Sequence, residues 1–69
     1  MDPTANLREQ LDLAAESQQI WDECPEDGEF TADQNHRLGE ICIRLGELVE
    51  ALNGWITKGG FYPKQWRRA

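Results

Sequence analysis

The sequence predicts an all-α fold in which two helices form an antiparallel hairpin, followed by an aromatic C-terminal tail. Apolar residues recur at helical spacing in two long segments, and a short segment with turn-forming residues separates them. The chain has 69 residues, 39% of them hydrophobic, which is enough for one small core and too little for a second. We therefore expect a single helical domain over residues 1–69.

The first helix is predicted over about residues 4–23. Asp2 or Thr4 can cap its free N–H groups, and Pro3 is tolerated in a first turn. At about 100° per residue, the main apolar stripe has a second apolar line beside it. The main stripe holds Leu7, Leu11, Ala14, Gln18 and Trp21, and the second line holds Leu13 and Ile20. A face this wide has room for two neighbouring helices.

The second helix is predicted over about residues 32–58, after a connector at 24–31. Pro25 biases the preceding residue away from helical angles, so it ends the first helix. Thr31 and Gln34 have the spacing of a capping box, which predicts where the second helix starts. The pair Gly59-Gly60 is the predicted C-cap.

The second helix carries a heptad-like seam, with apolar residues alternating at spacings of three and four. The seam holds Leu38, Ile41, Leu45, Leu48, Leu52 and Trp55, and a third apolar line holds Cys42, Val49 and Ile56. Gly39 and Gly46, followed by Asn53, recur every seven residues, which favours close approach of another helix. Because these faces exceed what one hairpin can bury, we expect a homodimer, most simply a four-helix bundle.

The tail at 59–69 combines aromatic and basic residues. Its aromatic residues are expected to turn back onto the helix ends, with Pro63 opening a short helical turn. Either this tail caps the core, or it binds a partner through residue types enriched at binding hot spots. The candidate interaction residues of the whole chain are Leu13, Ile20, Gly39, Ile43, Gly46, Tyr62, Trp66 and Arg67.

The charge is negative overall and unevenly distributed. The net charge is −6, with ten acidic residues against Arg8 in residues 1–36 and four basic residues with no acid in residues 51–69. An acidic chain disfavours direct nucleic-acid binding, which depends on neutralising phosphates. No apolar run is long enough to cross a bilayer, and the start does not resemble a signal peptide, so we expect a cytoplasmic protein without membrane contact.

No residue pattern indicates catalysis, a metal or a cofactor. The single histidine excludes a convincing nucleophile–histidine–acid triad, and no phosphate-binding glycine loop is present. Cys24, His36 and Cys42 lack the spacing of a zinc site. We expect both cysteines to be reduced and Cys42 to be a small buried hydrophobic residue. The chain is therefore predicted not to be an enzyme.

Three segments of the sequence together form a pattern that covers most of the chain. They are Asn6-Leu7-Arg8-Glu9-Gln10-Leu11, Leu45-Gly46-Glu47-Leu48-Val49 with Ala51-Leu52, and Trp55-Ile56 followed by Gly59-Gly60-Phe61-x-Pro63-x-x-Trp66. This pattern resembles small helical proteins of unknown function encoded by bacteriophages of actinobacteria. The resemblance implies a viral origin and a short helical shape, and it assigns no role to any residue.

The leading hypothesis is a non-enzymatic phage accessory protein that binds a host or phage protein. A first alternative is an acidic mimic of nucleic acid that inhibits a defence or transcription enzyme, because carboxylates sharing one helix face can imitate phosphates. That acidic face holds Glu9, Asp12, Glu16 and Glu23. A second alternative is a structural or assembly protein of the phage particle.

Overall fold

The computed structural model describes residues 1–24 and 28–66, and it confirms the all-α hairpin. Helix α1 spans Pro3–Asp22, helix α2 spans Ala32–Thr57, and a 3₁₀ turn spans Lys64–Trp66. Both ends of α1 lie one residue earlier than the sequence indicates, and α2 ends one residue earlier. Pro25, to which the sequence assigns the end of the first helix, lies outside the described residues.

Side chains and proline fix the start of α1. Asp2 is the N-cap, and its carboxylate accepts hydrogen bonds from the backbone N–H groups of Thr4 at 3.0 Å and Ala5 at 3.2 Å. Pro3 occupies the first helical position, where its missing N–H group costs no hydrogen bond. The helix therefore begins where two otherwise unsatisfied donors gain acceptors.

The predicted capping signals of α2 are both present. The Thr31 N–H donates to the Gln34 side chain at 2.8 Å, and the Gln34 N–H donates to the Thr31 hydroxyl at 3.1 Å. At the other end, Gly59 has a φ of 89°, and the N–H of Gly60 donates to the Trp55 carbonyl at 2.9 Å. This is a Schellman-type ending, which needs the left-handed conformation that glycine adopts at low cost.

The core lies along the contact between the helices. Ile41 and Leu48 of the predicted seam are buried together with Leu13, and Ile20 and Leu45 pack against them. On α2 the predicted seam thus faces the core. On α1, where the sequence leaves open which apolar line meets α2, the line of Leu13 and Ile20 packs into the core.

Part of the main apolar stripe of α1 lies to one side of the contact with α2. Leu11 and Trp21 are more than half exposed. Both lines are apolar, so hydrophobic spacing alone does not say which one meets α2. Polar contacts between the two helices decide which apolar line of α1 meets α2. Asn6 makes the most buried of these contacts.

Asn6 is a buried polar residue between the helices. Its side-chain amide donates a hydrogen bond to the backbone carbonyl of Leu48 at 3.0 Å, and its carbonyl accepts one from the Gln10 side chain at 2.6 Å. A buried amide is stable only when it is hydrogen-bonded, so this position is sensitive to rotation or sliding of α1. Asn6 therefore fixes the register of the hairpin.

The tail folds back onto the start of α1. Pro63 is fully buried, and the N–H of Lys64 donates to the Thr4 hydroxyl at 2.9 Å. The Gln65 side chain donates to the Thr4 carbonyl at 3.1 Å. The short turn that the sequence predicts after Pro63 is confirmed, and the Pro63 side chain is fully buried.

The described helices make a single layer. The Cα positions extend over 47 × 25 × 14 Å, with a radius of gyration of 15.0 Å. A compact domain of this length has a radius of gyration of about 11 Å. Within the described parts of the chain, neither helix combines the length and apolar character that crossing a bilayer requires.

Candidate interaction surfaces

One long side of the hairpin is charged, and ion pairs cross it from α1 to α2. The Arg44 guanidinium donates two hydrogen bonds to the Glu9 carboxylate at 2.6 and 2.9 Å. Arg37 makes the same paired contact with Glu16 about two helical turns along, with one bond at 2.8 Å. We call this side, which carries both pairs, the charged face.

The ion pairs shift the ionisation of their members in one direction. Hydrogen bonds from Arg44 lower the pKa of Glu9 below its usual value, and hydrogen bonds from Arg37 do the same to the pKa of Glu16. The pKa of each arginine is raised in return, mainly by the hydrogen bond to its glutamate. Both pairs therefore stay ionised at neutral pH.

The predicted acidic face is divided by these contacts. Glu9 and Glu16 are engaged by arginines of α2, whereas Asp12 and Glu23 are exposed. A phosphate-like array needs free carboxylates at regular spacing, and two of its four members here already have cationic partners. Sequence reasoning missed this because Arg37 and Arg44 are about 20 and 35 residues away along the chain.

The opposite long side of the hairpin is free of charged residues along both helices. At about 100° per residue, a sector of about 120° on α1 and the matching sector on α2 face this side. We call it the uncharged face. Within α1 and α2 it holds Pro3, Leu7, Gln10, Leu11, Ala14, Ser17, Gln18 and Trp21, and Asn35, Leu38, Gly39, Cys42, Leu45, Gly46, Val49, Asn53 and Ile56.

Several apolar side chains of the uncharged face are open to solvent. Trp21 is 58% exposed and Val49 is 52% exposed. Cys42 is also exposed, so the expectation that it is buried was wrong. The reason is geometric: Cys42 lies beside the seam, where a third helix would cover it, and the hairpin has only two. The sequence correctly indicates a broad face, and the chain by itself covers part of it.

A shallow groove of about 240 Å³ lies at the tail end of the uncharged face. Val49, Ile56 and Trp66 supply its apolar walls, and Gln10 and Asn53 supply its polar ones. Gly39 and Gly46 lie along the outer edge of the same face, and a methyl group built on either one would meet no other atom within 4 Å. The small residues thus contact nothing inside the hairpin.

The tail presents an exposed aromatic cluster. Three aromatic residues of the tail are each more than half exposed: Phe61, Tyr62 and Trp66. The ring centroids of Tyr62 and Trp66 lie 6.3 Å apart. The Trp55 indole donates a hydrogen bond to the Phe61 carbonyl at 2.9 Å and meets the Phe61 ring edge-on. We call Phe61, Tyr62 and Trp66 the aromatic tail cluster.

The cluster is held by close packing at Gly60. A methyl group on Gly60 would overlap the Trp55 indole, so only glycine lets the tail pass this ring. Lys58 and Lys64 lie in the same part of the chain. Arg67, another candidate interaction residue, lies outside the described residues.

The remaining candidate interaction residues are dispersed. Leu13 is buried in the core and Ile20 packs against it, so neither is available to a partner. Ile43 is 68% exposed on the back of α2, about 100° around the helix from Cys42. Asn6, which sequence reasoning missed, could have been found from its heptad spacing with Leu13 and Ile20.

Among residues 1–24 and 28–66, no group of three or more histidine, cysteine or acidic side chains has the arrangement of a metal site.

Comparison with known proteins gives no relative: no family model matches the chain, and no curated protein and no solved structure is significantly similar to it.

Proposed function

We propose that this chain is a non-enzymatic accessory protein of a bacteriophage that acts by binding a host or phage protein through its aromatic tail cluster. The observation that carries the proposal is that one tail residue is buried while the aromatic ones are exposed. Pro63 is fully buried, while the three aromatic residues stay more than half exposed. The tail is therefore anchored while each of its three aromatic residues stays more than half exposed.

The anchoring makes the cluster suited to binding. Two hydrogen bonds to Thr4 and the Schellman ending hold the tail backbone in place. A rigid surface loses little conformational entropy when it binds, so more of the contact energy appears as affinity. Tryptophan and tyrosine are also the residues most enriched at binding hot spots.

The surrounding charge indicates the kind of partner. Residues 51–69 contain Lys58, Lys64, Arg67 and Arg68 and no acidic residue, in a chain with a net charge of −6. A partner surface with an apolar pocket and an acidic rim would complement these residues and associate faster through electrostatic steering. The viral origin in this proposal comes from the sequence resemblance alone.

Affinity capture from phage-infected actinobacterial cells tests the proposal. Tyr62→Ala removes one ring of the cluster, and Ile43→Ala removes an apolar side chain of similar exposure from the back of α2. We expect one specific protein to be captured by the wild type and by Ile43→Ala, and at least tenfold less of it by Tyr62→Ala. Equal capture by both variants would refute the assignment to the tail.

A further inference from the structure

The hairpin exposes more surface than a compact monomer of its size. Its accessible surface is 5341 Å², whereas a monomeric protein of 7.9 kDa exposes about 4,400 Å². The excess of about 900 Å² is close to the roughly 800 Å² that each partner buries in a standard protein interface. The shortest extent of the molecule is 14 Å, so both long faces of this single layer of helices are open.

The surplus that favours association lies on the uncharged face. Half-exposed Trp21 and Val49 lie there, and burying them in an interface is favourable by about 25 cal/mol per Å² of apolar area. On the charged face, association would have to desolvate the pairs of Arg37 and Arg44, which is costly. The uncharged face is therefore the side that another helical layer can cover.

The two ends of the hairpin carry opposite charge. Asp22, Glu23, Glu29 and Asp33 lie at or near the connector end. Lys58 and Lys64 lie at the tail end, after α2, where Asp2 and Glu50 also lie, and residues 51–69 as a whole hold four basic residues and no acidic one. The extent of the molecule along its longest axis is 47 Å, so these charges are well separated at physiological ionic strength.

We propose that the uncharged face binds a second copy of this chain in antiparallel orientation. A second copy supplies an identical uncharged face, as an isologous two-fold interface requires. The antiparallel orientation places the acidic end of each copy beside the basic end of the other, and a parallel one would place like charges together. Charge thus selects the orientation, and apolar burial supplies the affinity.

The same orientation gives roles to residues that the hairpin leaves uncovered. A two-fold axis across the middle of the face sets α2 against α2 of the second copy, with Gly39 and Gly46 permitting close approach of the helices. It also brings Trp21 of each copy to the tail end of the other, where the groove between Val49 and Trp66 lies. The result is a two-layer arrangement of four helices.

Thiol crosslinking tests which face is used. Cys42 lies within three residues of the middle of α2, so the two-fold axis brings it near its symmetry mate. In a Cys24→Ser background, a short bismaleimide should join most chains through Cys42. The control carries Ile43→Cys with both native cysteines replaced by serine, and it should give at least tenfold less covalent dimer. Equal or greater crosslinking of the control would overturn the assignment of the face.

A distance measurement tests the orientation. In the Cys42→Ser variant, a nitroxide label on Cys24 marks the connector end of each copy. Pulsed electron paramagnetic resonance then measures the distance between the two labels. At 1.5 Å per helical residue, the antiparallel arrangement places the labels about 35 Å apart. A distance below about 20 Å, or none between two copies, would overturn the proposal.

This inference shares Trp66 with the proposed function of the tail, and Tyr62 lets the two be tested separately. Tyr62→Ala should leave both the crosslinking and the distance unchanged, because Tyr62 does not line the groove. Loss of partner capture with an intact antiparallel dimer, or the reverse, would separate the two proposals.

Discussion

The two long faces of the hairpin differ in what holds them. On the charged face, Arg37 and Arg44 reach from α2 to glutamates of α1 and tie the helices together. On the uncharged face, apolar side chains such as Val49 stay half exposed beside the same core. One pair of helices can thus form its ion pairs within the chain on one side and leave the other side open for association.

The difference follows from the cost of burying charge. Exposed ion pairs contribute little individually, but they favour the one rotation of α1 that places both glutamates near their arginines. That rotation turns the line of Leu13 and Ile20 into the core. It leaves Trp21 and Leu11 pointing to the other side.

The largest expected effect is that of a single charge placed on the uncharged face. Val49→Glu should weaken self-association at least about 100-fold, because a carboxylate would be buried without a partner. Ile43→Glu puts the same charge on the back of α2 and should change the dissociation constant less than about threefold. Sedimentation equilibrium measures both variants. Equal effects would break the distinction between the faces.

The next effect concerns Asn6, which lies between the faces. Asn6→Ala leaves the carbonyl of Leu48 without its side-chain donor and should lower the free energy of unfolding by about 1–3 kcal/mol. Urea unfolding in the Val49→Glu background measures this without a contribution from association. Gln10→Ala, which removes the outer hydrogen bond to Asn6, should cost less. A loss below about 0.5 kcal/mol for Asn6→Ala would contradict its role in register.

Two glycines of α2 give a smaller and sharper contrast. Neither Gly46 nor Gly54 has an atom within 4 Å of an added methyl group, and only Gly46 lies on the uncharged face. In the Val49→Glu background, Gly46→Ala and Gly54→Ala should each raise the free energy of unfolding by about 0.5–1 kcal/mol. In the otherwise wild-type chain, only Gly46→Ala should weaken self-association. Identical behaviour of the two in both backgrounds would contradict close packing at Gly46.

The smallest effect is expected on the charged face. The double variant Glu9→Gln and Glu16→Gln should lower the urea midpoint slightly at pH 7, since both pairs are exposed to solvent. The pKa of each glutamate is lowered in the folded state, so its contribution is present above the usual value of 4.5 and is lost as the pH falls through the folded value.

Wild type should therefore lose more stability than this double variant between pH 7 and about pH 3. The control is Asp12→Asn with Glu23→Gln, which removes two exposed carboxylates and leaves both arginine pairs intact. Its pH dependence should resemble that of the wild type. If the Glu9 and Glu16 variant kept the full pH dependence, the pairs would not carry it.

Sequence reasoning succeeded where local signals decide the structure. Thr31 and Gln34 mark the start of α2 through contacts three residues apart, and Gly59 marks its end. The seam of α2 was also predictable, because its apolar residues alternate spacings of three and four through Ile41 and Leu48. These features depend on residues close together in the sequence.

It was incomplete or wrong where contacts between distant residues decide the structure. The choice between two apolar lines on α1 depends on Asn6 meeting Leu48 and on glutamates meeting arginines of α2, and no local pattern reports such pairs. The exposure of Cys42 depends on how many helices surround it, which one chain does not specify. The candidate surfaces were predicted in part: Tyr62 and Trp66 are exposed, whereas Leu13 is buried.

The most direct test of whether a second copy covers the uncharged face is the mass of the wild-type chain in solution, measured by sedimentation equilibrium. If a second copy covers the uncharged face, the mass should be twice 7.9 kDa at micromolar concentration and should fall towards 7.9 kDa on dilution. A mass of 7.9 kDa at every concentration up to hundreds of micromolar would contradict the account.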